Sequence, residues 1–310
     1  MSPAYYQPSN KLPLGGVFAL LAGGVVAAAV LAAVYIYAVW YIPFVYINFL
    51  LCLGFGIVLG MVLAQLVRVG KLRSPAAVGG LALLVGLAAL YLEWTVFLTL
   101  LFNSETTGTG ASADTSTSFS ASVFTGLLTH PGVMAEAMKQ VNETGTWSLK
   151  GTTPSGIFLA LIWVVEAVVI VGGAFLLARA QATEPFSEVS QEWADEEKLA
   201  QTATYVADPA ATRAALEAGH FQHLTPYASQ AGADTFARVT LHTAPNDPAC
   251  QYLSLQNVTR TLDKKGKPTE ASTHVVQHLA ISQATCQELK KRFSRLPATT
   301  TPADPAPMTS

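Results

Sequence analysis

The sequence contains 310 residues, of which 51% are hydrophobic and only 12% are charged. In soluble domains about a quarter of all residues are charged, so the composition excludes an ordinary soluble protein. The formal net charge is −2 and no segment is strongly basic, so we expect no nucleic-acid partner. Cys52 lies in an apolar run and Cys250 and Cys286 lie near the C-terminus, so no disulfide framework is predicted.

Four apolar runs are long enough to cross a lipid bilayer. They cover about 15–41, 44–67, 77–102 and 155–178. A run of roughly 20 apolar residues spans the hydrocarbon core, and in lipid only a helix satisfies its backbone hydrogen bonds. Residues 1–14 before them are polar and proline-rich, which predicts a disordered tail. The sequence therefore predicts a protein embedded in the lipid bilayer.

The basic residues of the short loops predict the orientation of these spans. Lys11, Arg68, Lys71, Arg73 and Arg179 all fall on one side if both termini are cytoplasmic. We therefore expect a multi-pass protein with cytoplasmic N- and C-termini. The small loops and the absence of eukaryotic signals favour the inner membrane of a bacterium.

The opposite side holds an extracytoplasmic loop over 103–154. Residues 103–122 are rich in Ser, Thr, Gly and Ala, which predicts a flexible linker. Residues 131–141 have an apolar face at helical spacing, which predicts a short amphipathic helix on the membrane surface or over the bundle. Tyr35 and its aromatic neighbours are expected to form an interfacial belt at this side.

Residues 184–296 are predicted to form a cytosolic α+β module. An acidic helix over 185–201 and a second helix from Asp208 to Gly219 precede three strands and a closing helix. The strands, predicted as an antiparallel sheet, cover 235–243, 251–262 and 273–281. The fold class is thus a membrane all-α four-helix transmembrane bundle with a C-terminal module of two helices, a three-stranded sheet and a closing helix. Residues 297–310 are expected to be a disordered tail.

Two acidic residues lie within the apolar runs. Glu93 is about 14 Å and Glu166 about 17 Å below the outer ends of their predicted spans, so they can share one level. A charged side chain at this depth costs about 2.5–3.5 kcal/mol on insertion scales. Trp94 and Trp163 are close enough in sequence for their indole N–H groups to serve as donors. The pair is a proton- or cation-binding site, a set of protonated groups that hold neighbouring helices together, or a site whose counter-ion is a basic residue of a partner.

The spacing Gly56-x-x-x-Gly60 predicts a close approach of another helix to the second span. The first span is rich in Ala and Gly, and we expect it to be that partner within the same bundle.

Several histidines of the C-terminal module have spacings that suit metal ligands. They are His220 with His223, and His274 with His278, which His242 or Cys250 could join. No Cys-x-x-Cys or His-Glu-x-x-His motif accompanies them, so we expect histidines on a solvated sheet face and no metal site. Cys250 and Cys286 are expected to be buried structural thiols.

The expected function follows from these elements. No phosphate-binding glycine loop and no Gly-x-Ser-x-Gly motif occurs, so we expect no enzyme and no cofactor. Phe186 and Trp193 lie seven residues apart on the predicted acidic helix and are candidates for a docking face. We expect a non-catalytic membrane protein whose cytosolic module binds a protein partner. The alternative is a small proton- or cation-coupled transport component that uses Glu93 and Glu166.

Overall fold

The computed structural model describes residues 5–42, 44–107, 114–145, 153–227, 235–262 and 266–294. The chain forms two compact units. The helical unit comprises Pro8–Thr183, and the sheet unit combines the N-terminal residues up to Gln7 with the chain from Glu184 onward. Residues 297–310, predicted as a disordered tail, lie outside the described residues.

The helical unit contains the four predicted spans. They are α1 (Leu14–Tyr41), α2 (Val45–Val69), α3 (Pro75–Phe102) and α6 (Gly156–Ala182). Each is long and apolar enough to cross a membrane, with a mean hydropathy of 2.0 or more over its 18-residue window. Even the shortest, with 25 residues, extends about 38 Å and so exceeds a hydrocarbon core of about 30 Å.

Each of these helices buries one face and exposes apolar side chains on the other. In α1, Leu20, Ala28 and Ala32 are fully buried, whereas Phe18 and Val26 are exposed. An exposed apolar face is costly in water but matches lipid tails, which are as apolar as leucine. One face therefore packs within the bundle, and the other has the apolar character that suits contact with lipid.

The chain between α3 and α6 has more regular structure than predicted. Strand β1 (Ser104–Thr107) pairs antiparallel with β2 (Asp114–Thr117), and helix α4 (Ala121–Thr129) follows. The linker predicted over 103–122 is therefore wrong for the described residues, because threonines suit a strand and Ser120 caps α4 by accepting the N–H of Val123. The helix predicted over 131–141 is α5 (Pro131–Thr144). Residues 108–113 and 146–152 of this loop lie outside the described residues.

Helices α4 and α5 form a hairpin that packs against α3 and α6. The Tyr91 hydroxyl, eleven residues before the end of α3, donates to the carbonyl oxygens of Leu127 and Leu128 at 3.0 and 3.1 Å. The side chain of Asn142 in α5 donates to the carbonyl of Gly156 at the start of α6, at 2.9 Å. An apolar cluster fills the contact and includes Leu98, Leu127, Met134, Ala137 and Val141. The hairpin thus reaches the middle of α3 instead of remaining at its end.

The sheet unit is built on the predicted meander. Strands β8 (Thr235–Thr243), β9 (Gln251–Leu262) and β10 (Pro268–Ala280) pair antiparallel in that order. Short strands β5 (Asp195–Lys198) and β6 (Thr202–Ala203) both pair with β8, and β7 (Pro226–Tyr227) pairs with β6. The sheet therefore has six strands, not three. Residues 263–265, in the predicted turn before β10, lie outside the described residues.

Two helices border this sheet. Helix α7 (Pro209–Glu217) begins after Asp208, whose carboxylate accepts the N–H groups of Ala210 and Ala211, as the predicted cap requires. Helix α8 (Gln283–Arg292) is the predicted closing helix and is capped by Ser282. The core between helices and sheet includes the fully buried Leu216, Leu241, Leu253, Leu289 and Phe293.

The helix predicted over 185–201 is wrong. Strands β3 (Phe186–Ser187) and β4 (Glu192–Trp193) form a small hairpin there, followed by β5 and β6. The Ser187 hydroxyl accepts the N–H groups of Val189 and Ser190, which competes with helical hydrogen bonding. Gln191 then adopts a left-handed φ of 57°, which closes the turn. Among the described residues, the unit consequently has one α-helix, not two, before the meander, together with a short 3₁₀ turn over Phe221–His223.

The disordered tail predicted over 1–14 is wrong for its described residues. Tyr5 forms an antiparallel bridge with Leu279, and the N–H of Tyr6 donates to the carbonyl of His278 at 2.9 Å. The Tyr6 ring contacts Tyr252 edge-on, with centroids 5.3 Å apart. Long-range backbone pairing to β10 fixes this segment, and the local sequence contains no signal of it.

Candidate functional site in the helical unit

Glu93 and Glu166 meet inside the helical unit. Glu93 lies on α3 and is 3% exposed, and its carboxyl is hydrogen-bonded to that of half-buried Glu166 on α6. Glu93 lies about 14 Å from the C-terminal end of α3 and Glu166 about 15 Å from the N-terminal start of α6, at a rise of about 1.5 Å per residue. The structure therefore brings together the two acidic residues that the sequence singled out.

Tyr35 of α1 completes this cluster, although its sequence position predicts an interfacial residue. Its hydroxyl donates to Oε1 of Glu166, and its ring contacts Phe55 with centroids 5.4 Å apart. At 7% exposure it does not belong to the predicted interfacial belt. The sequence contains a signal of this inward position, because Tyr35 continues the stripe of small residues Gly24, Ala28 and Ala32 at helical spacing.

Trp94 and Trp163 also come together, but not as donors to the carboxyls. Their rings pack edge-on with centroids 4.7 Å apart and an interplanar angle of 83°. Both belong to the apolar cluster around Leu127 and Met134 of the α4–α5 hairpin. The two indoles therefore form an aromatic layer next to the carboxyls, while Tyr35 supplies the donor to Glu166.

Close contact of α2 with α6 sets the position of Glu166. A Cβ on Gly56 would lie 2.6 Å from the carbonyl oxygen of Val169, and one on Gly60 would collide with Gly173. The close approach predicted for these glycines is present, but the partner is α6 and not the first span, because α6 offers its own glycine there. One helical turn before Gly56, the Cys52 thiol lies 4.0 Å from the carbonyl oxygen of Glu166.

The contact between the two carboxyls determines their minimal protonation state. Carboxylate oxygens only accept hydrogen bonds, so two carboxyl groups can bond to each other only when one carries a proton. Glu166 accepts a further hydrogen bond from Tyr35. Oε2 of Glu93 is buried and has no hydrogen-bond partner among the described residues.

No protein-family model, no curated protein and no solved structure matches this chain.

Phe186 and Trp193, the candidates for partner binding, do not form an exposed face. They lie opposite each other on β3 and β4, with ring centroids 5.1 Å apart, and are 5% and 8% exposed. Strand geometry brings residues seven apart into register across a hairpin, where a helix would have placed them on one outer stripe. The two rings are therefore too buried to form the exposed docking face that the sequence predicts.

The histidines of the sheet unit separate into two groups. His220, His223 and His274 are exposed, as predicted. His242 and His278 are 4% and 7% exposed, so the prediction of a solvated face is wrong for them. Their ring nitrogens converge with the carboxylate of Glu184, which no sequence motif connects to them because it lies 58 residues before His242.

The cysteines of the sheet unit are buried free thiols. Burial, together with the negative charge of Asp247, raises the pKa of the Cys250 thiol to about 11. Burial likewise raises the pKa of Cys286. Both are therefore protonated at neutral pH and poor nucleophiles, which agrees with a structural role.

Proposed function

We propose that this chain is a multi-pass membrane protein whose helical unit binds and exchanges a proton at Glu93, Glu166 and Tyr35, as a component of a proton-coupled transport process. The observation that carries the proposal is the meeting of two carboxyls and the Tyr35 hydroxyl inside the helical unit, with Glu93 almost fully buried. Ionisable residues within membrane spans are costly and mark ion or proton pathways.

The cluster favours a proton over a metal cation. A cation site in a membrane protein presents oxygen lone pairs to the ion, whereas here the Tyr35 hydroxyl donates to Glu166 and the carboxyls bond directly to each other. Each of these contacts contains a hydrogen between two oxygens. Release of the shared proton would leave two negative charges in contact, so exchange must be coupled to a change in hydration or helix position.

The proton proposal predicts a carboxyl band that titrates. In the reconstituted protein, infrared spectra should show a protonated carboxyl stretch that disappears as the pH rises, and Glu93→Gln or Glu166→Gln should each abolish it. Tyr35→Phe should retain the band but shift its frequency, because Glu166 loses a donor. Glu136→Gln is the matched control, since Glu136 lies exposed on α5, and should change nothing.

Two results would contradict the proposal. A carboxyl band that stays protonated over the whole accessible pH range would identify the pair as packing groups. A titrating band that persists unchanged in both Glu93→Gln and Glu166→Gln would place the exchangeable proton elsewhere.

We further propose that both termini face the cytoplasm at a bacterial inner membrane. Basic residues favour the cytoplasmic side of short loops. The N–H of Asn10 donates to the carbonyl of Arg73, and the N–H of Arg73 donates to that of Lys11, so two of the basic segments are paired. The pairing of Tyr5 and Tyr6 with β10 requires the N-terminal segment and the strands after α6 to lie on the same side of the membrane. Four spans meet this requirement, because an even number of crossings returns the chain to the side on which it began.

This orientation predicts which engineered cysteines an impermeant maleimide reaches on intact cells. Glu136→Cys, at an exposed position of α5, should be labelled at once. Glu288→Cys, at an exposed position of α8, should be labelled only after the membrane is permeabilised. The native cysteines are buried and give the background. Labelling of Glu288→Cys on intact cells would reverse the orientation.

A further inference from the structure

Three potential metal ligands converge in the sheet unit from distant parts of the chain. Glu184 follows α6, His242 lies on β8 and His278 lies on β10. One ligand atom from each falls within 4.8 Å of the others. Oε2 of Glu184 is 3.5 Å from Nε2 of His278 and 3.9 Å from Nδ1 of His242. The two imidazoles are edge-on, with centroids 4.6 Å apart.

These distances fit metal ligands better than direct hydrogen bonds. A good N–H···O bond measures about 2.7–3.2 Å, which is shorter than either distance from Glu184. Two ligand atoms at about 2.0–2.1 Å from a tetrahedral ion are about 3.4 Å apart. The Glu184–His278 distance already has this value, and the Glu184–His242 distance needs only a small contraction.

Ser254 on β9 orients both histidines. Its hydroxyl oxygen accepts the backbone N–H of His278 at 3.1 Å and lies 3.1 Å from Nε2 of His242. With two lone pairs the oxygen can accept from both groups, which leaves the Nδ1 lone pair of His242 directed toward the Glu184 carboxylate. Metal-binding histidines are held in this way by a hydrogen bond at their second ring nitrogen.

The backbone at His278 departs from strand geometry where this side chain is directed inward. His278 has a left-handed φ of 53°, and the register of β10 against β9 shifts between Val276 and Leu279. A bulge of this kind redirects a side chain, and a non-glycine residue in the left-handed region costs about 1–2 kcal/mol. Such strain persists where surrounding contacts enforce it and is concentrated at functional sites.

We propose that Glu184, His242 and His278 bind one divalent transition-metal ion, with Ser254 as the residue that positions both histidines. Two imidazoles and one carboxylate suit Zn²⁺, Fe²⁺ or Co²⁺, and they disfavour Mg²⁺ and Ca²⁺, which prefer oxygen ligands. Three protein ligands leave a coordination position for water or another small ligand, and the 40% exposed side chain of Glu184 provides the approach from solvent.

The test uses the full chain in detergent, purified without a histidine tag and stripped with a chelator. Zn²⁺ and Co²⁺ are titrated separately, bound metal is measured by mass spectrometry after dialysis, and the Co²⁺ complex is followed by its visible absorption. We expect one equivalent of either ion. Ser254→Ala should weaken Zn²⁺ binding by about 10–100-fold, because an orienting hydrogen bond is lost. Glu184→Gln and His242→Gln should weaken it further.

His274→Gln is the matched control, because His274 lies on the same strand as His278 but is exposed and contacts Gln256. It should bind one equivalent with unchanged affinity. Less than one equivalent in the wild-type chain would overturn the proposal, as would Zn²⁺ binding by Glu184→Gln and His242→Gln that equals the wild type. Slow maleimide labelling of buried Cys286 confirms that each variant is folded.

Discussion

Replacing Gly173 by alanine is expected to separate α2 from α6 and to disrupt the carboxyl cluster. A Cβ at this position would lie 2.6 Å from the carbonyl oxygen of Gly56, a distance that no folded backbone tolerates without movement. Overpacking of this kind costs about 1–3 kcal/mol. Glu166 lies two helical turns before Gly173 on the same face, so the shift should move its carboxyl away from Glu93.

Gly172→Ala provides the control at the adjacent position. A Cβ there meets no atom within 4 Å, so the substitution should leave stability and the carboxyl signal unchanged. The measurement is thermal unfolding in detergent, followed by tryptophan fluorescence, to which Trp94 and Trp163 beside the carboxyls contribute, together with the infrared carboxyl band. Equal melting temperatures for Gly173→Ala and Gly172→Ala would show that α2 and α6 are not in close contact in the membrane.

Phe293→Ala is expected to destabilise the sheet unit by about 3–5 kcal/mol. Phe293 is fully buried at the end of α8 and packs with Leu289 and Cys286 against the sheet. Its removal loses apolar burial and leaves a cavity between helix and sheet. Since domains are stable by about 5–15 kcal/mol, this one change removes a large part of the stability of the unit.

Labelling of Cys286 by maleimide in the full chain measures this effect. The thiol is 3% exposed and becomes reactive only when α8 opens, so Phe293→Ala should accelerate labelling by at least about 100-fold, which corresponds to about 2.7 kcal/mol. Leu262→Ala is the control, because Leu262 is 71% exposed and its truncation should change the rate little. A rate for Phe293→Ala within about threefold of the wild type would contradict the buried position of this ring.

Local sequence predicts elements well where one physical term dominates. The four spans follow from the apolar runs because lipid admits only helices, and Asp208 and Ser282 begin helices because their side chains cap free N–H groups. Prediction fails over 185–201, where acidic residues with sparse apolar positions fit a helix and a hairpin almost equally. There the Ser187 hydroxyl and the left-handed Gln191 decide for the hairpin.

The candidate sites show the same division. Glu93 and Glu166 could be found in the sequence, because an acidic residue in an apolar run is conspicuous and a helical rise of about 1.5 Å gives its depth. The sequence predicts an interfacial position for Tyr35, because tyrosine is enriched at membrane interfaces. Only the packing of α1 shows that its hydroxyl points into the bundle toward Glu166. Glu184 carries no local signal at all.

Local sequence thus predicts four helices long and apolar enough to cross a membrane, the β8–β9–β10 meander and the positions of the two carboxyls along their helices, because periodicity and hydropathy act over neighbouring residues. The packing of α6 against Gly56 and Gly60, and the meeting of Glu184, His242 and His278, are visible only in the folded chain. Such contacts join residues tens to more than a hundred positions apart. They depend on which faces pack together, and this choice is made by the balance of burial and hydrogen bonding over the whole chain.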